Sequence, residues 1–127
     1  MTIFKGHVQR FMGHFNANDL NGVLNDFTDD GQYIDEFGKV HQGKMQIRTA
    51  MTPIFDGSFG ALTYIIEDII LDPENQKALV TWTLKITAPD SSVSKMRGLD
   101  VLDFDGEKVS TKNCYIKAKE VLIEPID

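Results

Sequence analysis

The sequence predicts an α+β fold, with N-terminal helices packed into the concave face of a strongly curved, mostly antiparallel sheet. Three observations carry this reading. Apolar residues recur at helical spacing in the first part of the chain, and from Leu62 onward they alternate as strands do. Turn residues then separate the alternating stretches at hairpin distances. Helices first and a meander after them place the helices on one sheet face, and the twist of such a sheet makes that face hollow. At 127 residues, 42% hydrophobic and 25% charged, the chain has the size and composition of one domain spanning residues 1–127.

The elements follow in order. Phe4, Val8, Phe11, Met12 and Phe15 lie on one face of a first helix. Asn16 or Asn18 is positioned to cap a second, whose apolar residues are Leu20, Val23, Leu24 and Phe27. Asp29-Asp30-Gly31 breaks that pattern before a short strand, Gln32-Tyr33-Ile34-Asp35, and Phe37-Gly38-Lys39 turns it into a brief Val40-His41 return. Ile47, Ala50, Met51, Ile54 and Phe55 resume helical spacing, with a kink or tightening expected near Thr52 because Pro53 lacks an N–H. Leu62–Leu71 reads as a strand closed by Asp72-Pro73-Glu74-Asn75. Ala78, Val80, Trp82, Leu84 and Ile86 alternate with milder residues in the next. Met96–Phe104 and Val109–Ala118 form a hairpin around Asp105-Gly106-Glu107.

Composition excludes several function classes. A net charge of -6 without a basic cluster argues against nucleic acid and anionic membranes as partners. No apolar run approaches the ~20 residues of a spanning helix, and Met1–His7 lacks a signal-peptide core. The single cysteine, Cys114, allows neither an internal disulfide nor a cysteine zinc site, which suits a reducing cytoplasm. His7 and His14 have no third ligand nearby, so a metal would need His41 or a carboxylate to converge on the first helix. The sequence holds no glycine-rich phosphate loop and no serine nucleophile elbow. No cofactor and no metal is expected.

Two aspartates stand out. Strand parity places Asp100 with Met96, Gly98, Leu102 and Phe104, and Arg97 on the opposite face with Leu99, Val101 and Asp103. A carboxyl group among apolar side chains is hydrogen-bonded, paired or protonated. The plain reading is a group satisfied by a neighbouring strand or facing a wet groove. Asp35 sits where the first strand meets its turn, a position that aspartate occupies for structural reasons alone.

Together with their surroundings the two acquire weight. The helix pair, then Thr28–Gly38, Gly43–Ile47 and Leu99–Val109, resemble in order and separation the nuclear transport factor 2-like superfamily, nearest its ketosteroid isomerase and SnoaL-like branch. The resemblance covers nearly the whole chain and implies a cone-shaped α+β scaffold that serves many tasks. It places Asp35 where ketosteroid isomerases keep their general base, and Asp100 where they keep the protonated acid that donates to the developing enolate. Phe11 falls where a tyrosine completes that oxyanion hole; losing one such donor costs about 10²–10³ in rate. An apolar pocket lined by Phe11, Phe15, Phe27, Tyr33, Met51, Phe55, Trp82 and Leu102 is expected, with Asp100 kept neutral where it faces Phe11, Phe27 and Met51. In the limonene-epoxide-hydrolase-like pattern an Arg and an Asp share a face; Arg97 and Asp100 do not.

Two readings follow. One is cofactor-independent proton transfer on a small apolar carbonyl compound, an isomerisation or a SnoaL-like ring closure, with Asp35 as base and Asp100 as acid. The other is a non-catalytic ligand-binding or protein-interaction domain on the same fold. The resemblance also implies a homodimer through the outer sheet face, where Thr81, Thr83, Arg97, Leu99, Val101 and Lys112 are expected.

Overall fold

Helix α1 (Thr2–Asn16) turns Phe4, Val8, Phe11, Met12 and Phe15 onto one buried stripe in the computed structural model, which describes residues 2–126. Helix α2 (Leu20–Asn25) is capped by Asp19, whose carboxylate accepts the Gly22 N–H at 2.9 Å, and not by Asn16 or Asn18. Asn16 has another use. Its Oδ1 accepts the Tyr64 N–H at 2.7 Å and its Nδ2 donates to the Tyr64 carbonyl at 2.8 Å, which ties the end of α1 to the sheet.

The remaining elements are β1 (Phe27–Ile34), β2 (Val40–Gln42), α3 (Gly43–Phe55), β3 (Ala61–Asp72), β4 (Lys77–Thr87), β5 (Val93–Asp105) and β6 (Lys108–Ile116). The six strands form one curved sheet in the order β2-β1-β6-β5-β4-β3, antiparallel throughout except where β1 lies parallel to β6. Phe27 therefore opens a strand and does not close a helix. The Asp29-Asp30-Gly31 run interrupts pairing without ending the strand: β1 advances from Phe27 to Gln32 while β6 advances only from Val109 to Thr111. Helix α3 runs through Pro53 to Phe55, with the proline in its last turn and the Thr52 hydroxyl donating to the Arg48 carbonyl at 2.6 Å.

The inner sheet face carries Ala78, Val80, Trp82 and Leu84 from β4 and Asp100, Leu102 and Phe104 from β5, all buried. The β5–β6 turn is the expected tight hairpin, with Asp105 paired to Lys108 and Gly106 at a φ of 65° that suits glycine. Lys112 corrects its expected place on the outer face. Phe104 pairs with Val109 but Asp103 pairs with Thr111, so Ser110 is an extra residue in β6 and every side chain after it changes face. Lys112 and Cys114 turn inward; Tyr115 turns out. Arg97 stays on the outer face beside Glu67, opposite to Asp100 as parity requires. No helix among the described residues is long and apolar enough to cross a membrane.

Candidate functional site

Between α3 and the inner sheet face lies a cavity of about 580 Å³, within the usual range for small-molecule sites. Ala50, Pro53 and Ile54 of α3 face Trp82, Leu84 and Ile86 of β4 across it. Its mouth is the turn from Asp35 to His41, and its floor is Tyr33, Tyr64, Lys112 and Cys114.

Asp35 stands at the mouth because β1 ends there in a tight turn: its N–H donates to the Lys39 carbonyl and the Gly38 N–H returns to its carbonyl. Gly38 has a φ of 82°, which a side chain would oppose. The carboxylate Oδ1 accepts the N–H groups of Phe37 at 2.9 Å and Lys39 at 3.0 Å, while Oδ2 lies 3.0 Å from His41 Nε2. Burial acts to raise the Asp35 pKa, but the hydrogen bonds from His41, Lys39 and Phe37 outweigh it and hold the carboxyl below its usual range. The His41 ring stacks on Tyr33, its cross-strand neighbour, at 5.4 Å.

Asp100 lies one layer deeper. Lys112 Nζ is 2.9 Å from its Oδ1, and Trp82 Nε1 donates to its Oδ2 at 3.0 Å. The lysine and aspartate side chains retain only 7% and 1% of their exposure. Both carboxyl oxygens thus serve as acceptors, and the acid that the sequence placed alone among Phe11, Phe27 and Met51 is half of a buried ion pair. Burial pulls the Lys112 pKa down, the Asp100 carboxylate pushes it up more strongly, and the ammonium titrates above its usual value. Its Nζ also sits over two ring faces, 5.0 Å from the Tyr33 centroid and 5.3 Å from that of Phe15. Gly98 makes room for this arrangement: a Cβ there would come within 2.6 Å of the Trp82 indole.

The two aspartates do not touch. Asp35 lines the cavity directly; Asp100 reaches it only through Lys112 and Trp82, which do. Of the eight expected lining residues, Tyr33 and Trp82 are in place. Phe11, Phe27, Met51 and Leu102 are instead fully buried core, where Phe11 packs edge-to-face on both Phe15 and Phe27. Phe15 lies beneath Lys112, and Phe55 packs on Phe15 beside a separate cleft. Sequence reasoning missed Lys112, whose parity the extra Ser110 disguises, and weighed His41 only as a metal ligand. The signal for His41 was hairpin register: a turn from Asp35 to Lys39 sets it opposite Tyr33. Among the described residues no three His, Cys, Asp or Glu side chains are grouped to hold a metal ion. His14 is held instead by Asp26, at 2.7 Å.

The helices in a curved, mostly antiparallel sheet define a nuclear transport factor 2-like cone. Residues 8–111 match the SnoaL-like domain, and the chain belongs to that family. Among solved structures it is similar to SalBIII, described as an epoxide hydrolase/cyclase-like enzyme in pyran ring formation in the polyether salinomycin. The identity is 18%, the coverage 90% of each chain and the TM-score 0.78. An NTF2-like protein of unknown function from Burkholderia pseudomallei is 16% identical over 92% of each chain, with a TM-score of 0.75. A putative polyketide cyclase from Xanthomonas campestris is 16% identical over 90% of each chain, with a TM-score of 0.71. At these identities the likeness shows the fold. No curated protein matches the chain in sequence.

Proposed function

We propose that this chain binds a small, largely apolar carbonyl compound in the cone and moves a proton on it without a cofactor. The observation that carries the reading is one cavity with an Asp–His pair at its mouth and buried donors at its floor. Asp35 is the base: its hydrogen bonds keep it ionised at neutral pH, and His41 on Oδ2 shares the proton it takes up. Asp100 contributes on the acid side. Phe11 has no donor and lies in the core, and the Lys112 ammonium that Asp100 anchors stands in for it. The family and its cyclase-like structural relatives support an isomerisation or ring closure as the reaction class.

The test is turnover of a panel of unsaturated ketones by wild type, Asp35→Asn and Lys112→Met. Each variant is expected to lose about 10²-fold or more in rate. Equal turnover by all three rejects catalysis by this constellation. If none turns over while apolar ketones still raise the melting point, the non-catalytic reading, a binding domain on the same fold, takes its place; Phe11 at the tyrosine position is the observation in its favour.

The same proposal includes a homodimer through the outer face, supported by Ile65, Ile70 and Tyr115, which are exposed there beside Leu99 and Val101. Monomer mass in concentrated solution would reject it. A cytoplasmic setting is proposed on the lone cysteine, which suits a reducing compartment.

A further inference from the structure

Every titratable group at the floor of the cavity is a proton donor. Lys112 keeps its ammonium because Asp100 lies 2.9 Å beneath it. Burial pushes Tyr64 up to about 12 and lifts Tyr33 further still, so both phenols hold their protons. Burial does the same to the Cys114 thiol, pushed up to about 12. The carboxylate nearby, Asp100, has its oxygens occupied by Lys112 and Trp82 and does not line the cavity. A ligand reaching this floor meets no anion, and it meets a cation flanked by the Tyr33 and Phe15 rings.

We propose that the cavity selects ligands with an acidic enol or phenol and binds them as the oxyanion, with the oxygen on Lys112 Nζ and the apolar body against α3 and β4. The proposal rests on the reading of the cavity as a small-molecule site and adds to it the charge state of the ligand and the group that sets it. Two features make the ammonium suitable. Its side chain is only 7% exposed, so a charge-assisted hydrogen bond there is stronger than at a surface. Lys112 lines the cavity while Asp100, 2.9 Å from its Nζ, does not, so the pair offers a ligand its cationic partner. At the mouth Lys39 stands with the carboxylates Asp35 and Glu36, so an incoming anion meets both signs of charge.

The experiment compares benzoylacetone, which ionises to an enolate with its own ultraviolet band, with butyrophenone, the same skeleton lacking the acidic enol. Wild-type protein should bind benzoylacetone as the enolate at pH values where it is neutral in solution. Its apparent pKa should fall by about one unit or more, a preference of about tenfold for the anion. Lys112→Met should abolish that shift while still binding butyrophenone. Should Lys112→Met fail to fold, the Asp100→Leu/Lys112→Met double variant, which leaves no buried charge unpaired, takes its place in the comparison. Benzoylacetone bound as the neutral diketone while butyrophenone binds equally well overturns the proposal and leaves the small-molecule site standing. An unchanged enolate shift in a folded Lys112→Met overturns the role of the lysine. If neither compound binds, the reading of the cavity itself fails.

Discussion

Two acid–base pairs serve the cavity, Asp35–His41 and Asp100–Lys112, and they differ in basic partner, in burial and in how the chain brings them together. Asp35 and His41 sit at the mouth, six residues apart, the first in a turn whose backbone holds its carboxylate and the second on β2 just beyond it. Asp100 and Lys112 sit at the floor, on neighbouring strands, where Lys112 lies across from Leu102 and diagonal to the aspartate. The mouth pair keeps 16% and 14% of its side-chain exposure; the floor pair keeps almost none. Water at the mouth can supply or remove a proton at small cost. At the floor neither partner can change charge without leaving the other stranded in apolar surroundings. One pair is therefore suited to moving protons and the other to holding a fixed field.

The comparison can be broken experimentally, first at the floor. Asp100→Leu or Lys112→Met alone should destabilise the protein by about 3–5 kcal/mol, because each leaves a buried charge unpaired. The double variant should regain most of that loss, since only the unpaired charge is costly. Denaturant titration of the three proteins measures it; a double variant no more stable than either single one would mean that the pair itself holds the sheet together.

A smaller effect should come from Gly98→Ala. The new methyl would stand 2.6 Å from the Trp82 indole and 2.5 Å from the Tyr115 carbonyl, and backbone cannot move aside as a side-chain end can. Crowding of this kind costs about 1–3 kcal/mol. It should also shift the fluorescence of Trp82, the only tryptophan, as its N–H leaves Asp100. An unchanged emission spectrum would separate the indole position from Gly98.

The smallest effect belongs to the mouth. Because the folded Asp35 pKa is lowered, its stabilisation is complete above the ordinary value of 3.8 and is lost as pH falls through the lowered one. Asp35→Asn should therefore cost about 1 kcal/mol or less at pH 7, and the gap to wild type should close in acid. Thermal melts at pH 7 and below pH 3.8 measure that difference. A gap that widened on acidification would reverse the assigned direction.

Much of this architecture was legible in advance. The stripe of α1, the alternation of β4, the hairpin at Gly106 and the inward parity of Asp100 all follow from spacing, because each depends on residues a few positions apart. Phe27 was misread because its apolar character fits the end of a helix as well as the start of a strand, and only pairing with Val109 settles it. Asp35 was legible from its place at a strand end. Its partner His41 needed the hairpin register as well.

By itself, then, the sequence determined the order of elements, the buried faces and the two aspartates, since local spacing and side-chain polarity act within a turn or a strand. Tertiary structure decided what those aspartates face. The extra Ser110 in β6 turned Lys112 from the outer surface to the cavity floor, and close packing of Phe11, Phe15 and Phe27 moved the expected pocket wall into the core. A bulge and an interlocking of rings depend on the neighbouring strand and helix, and no periodicity within one segment records them.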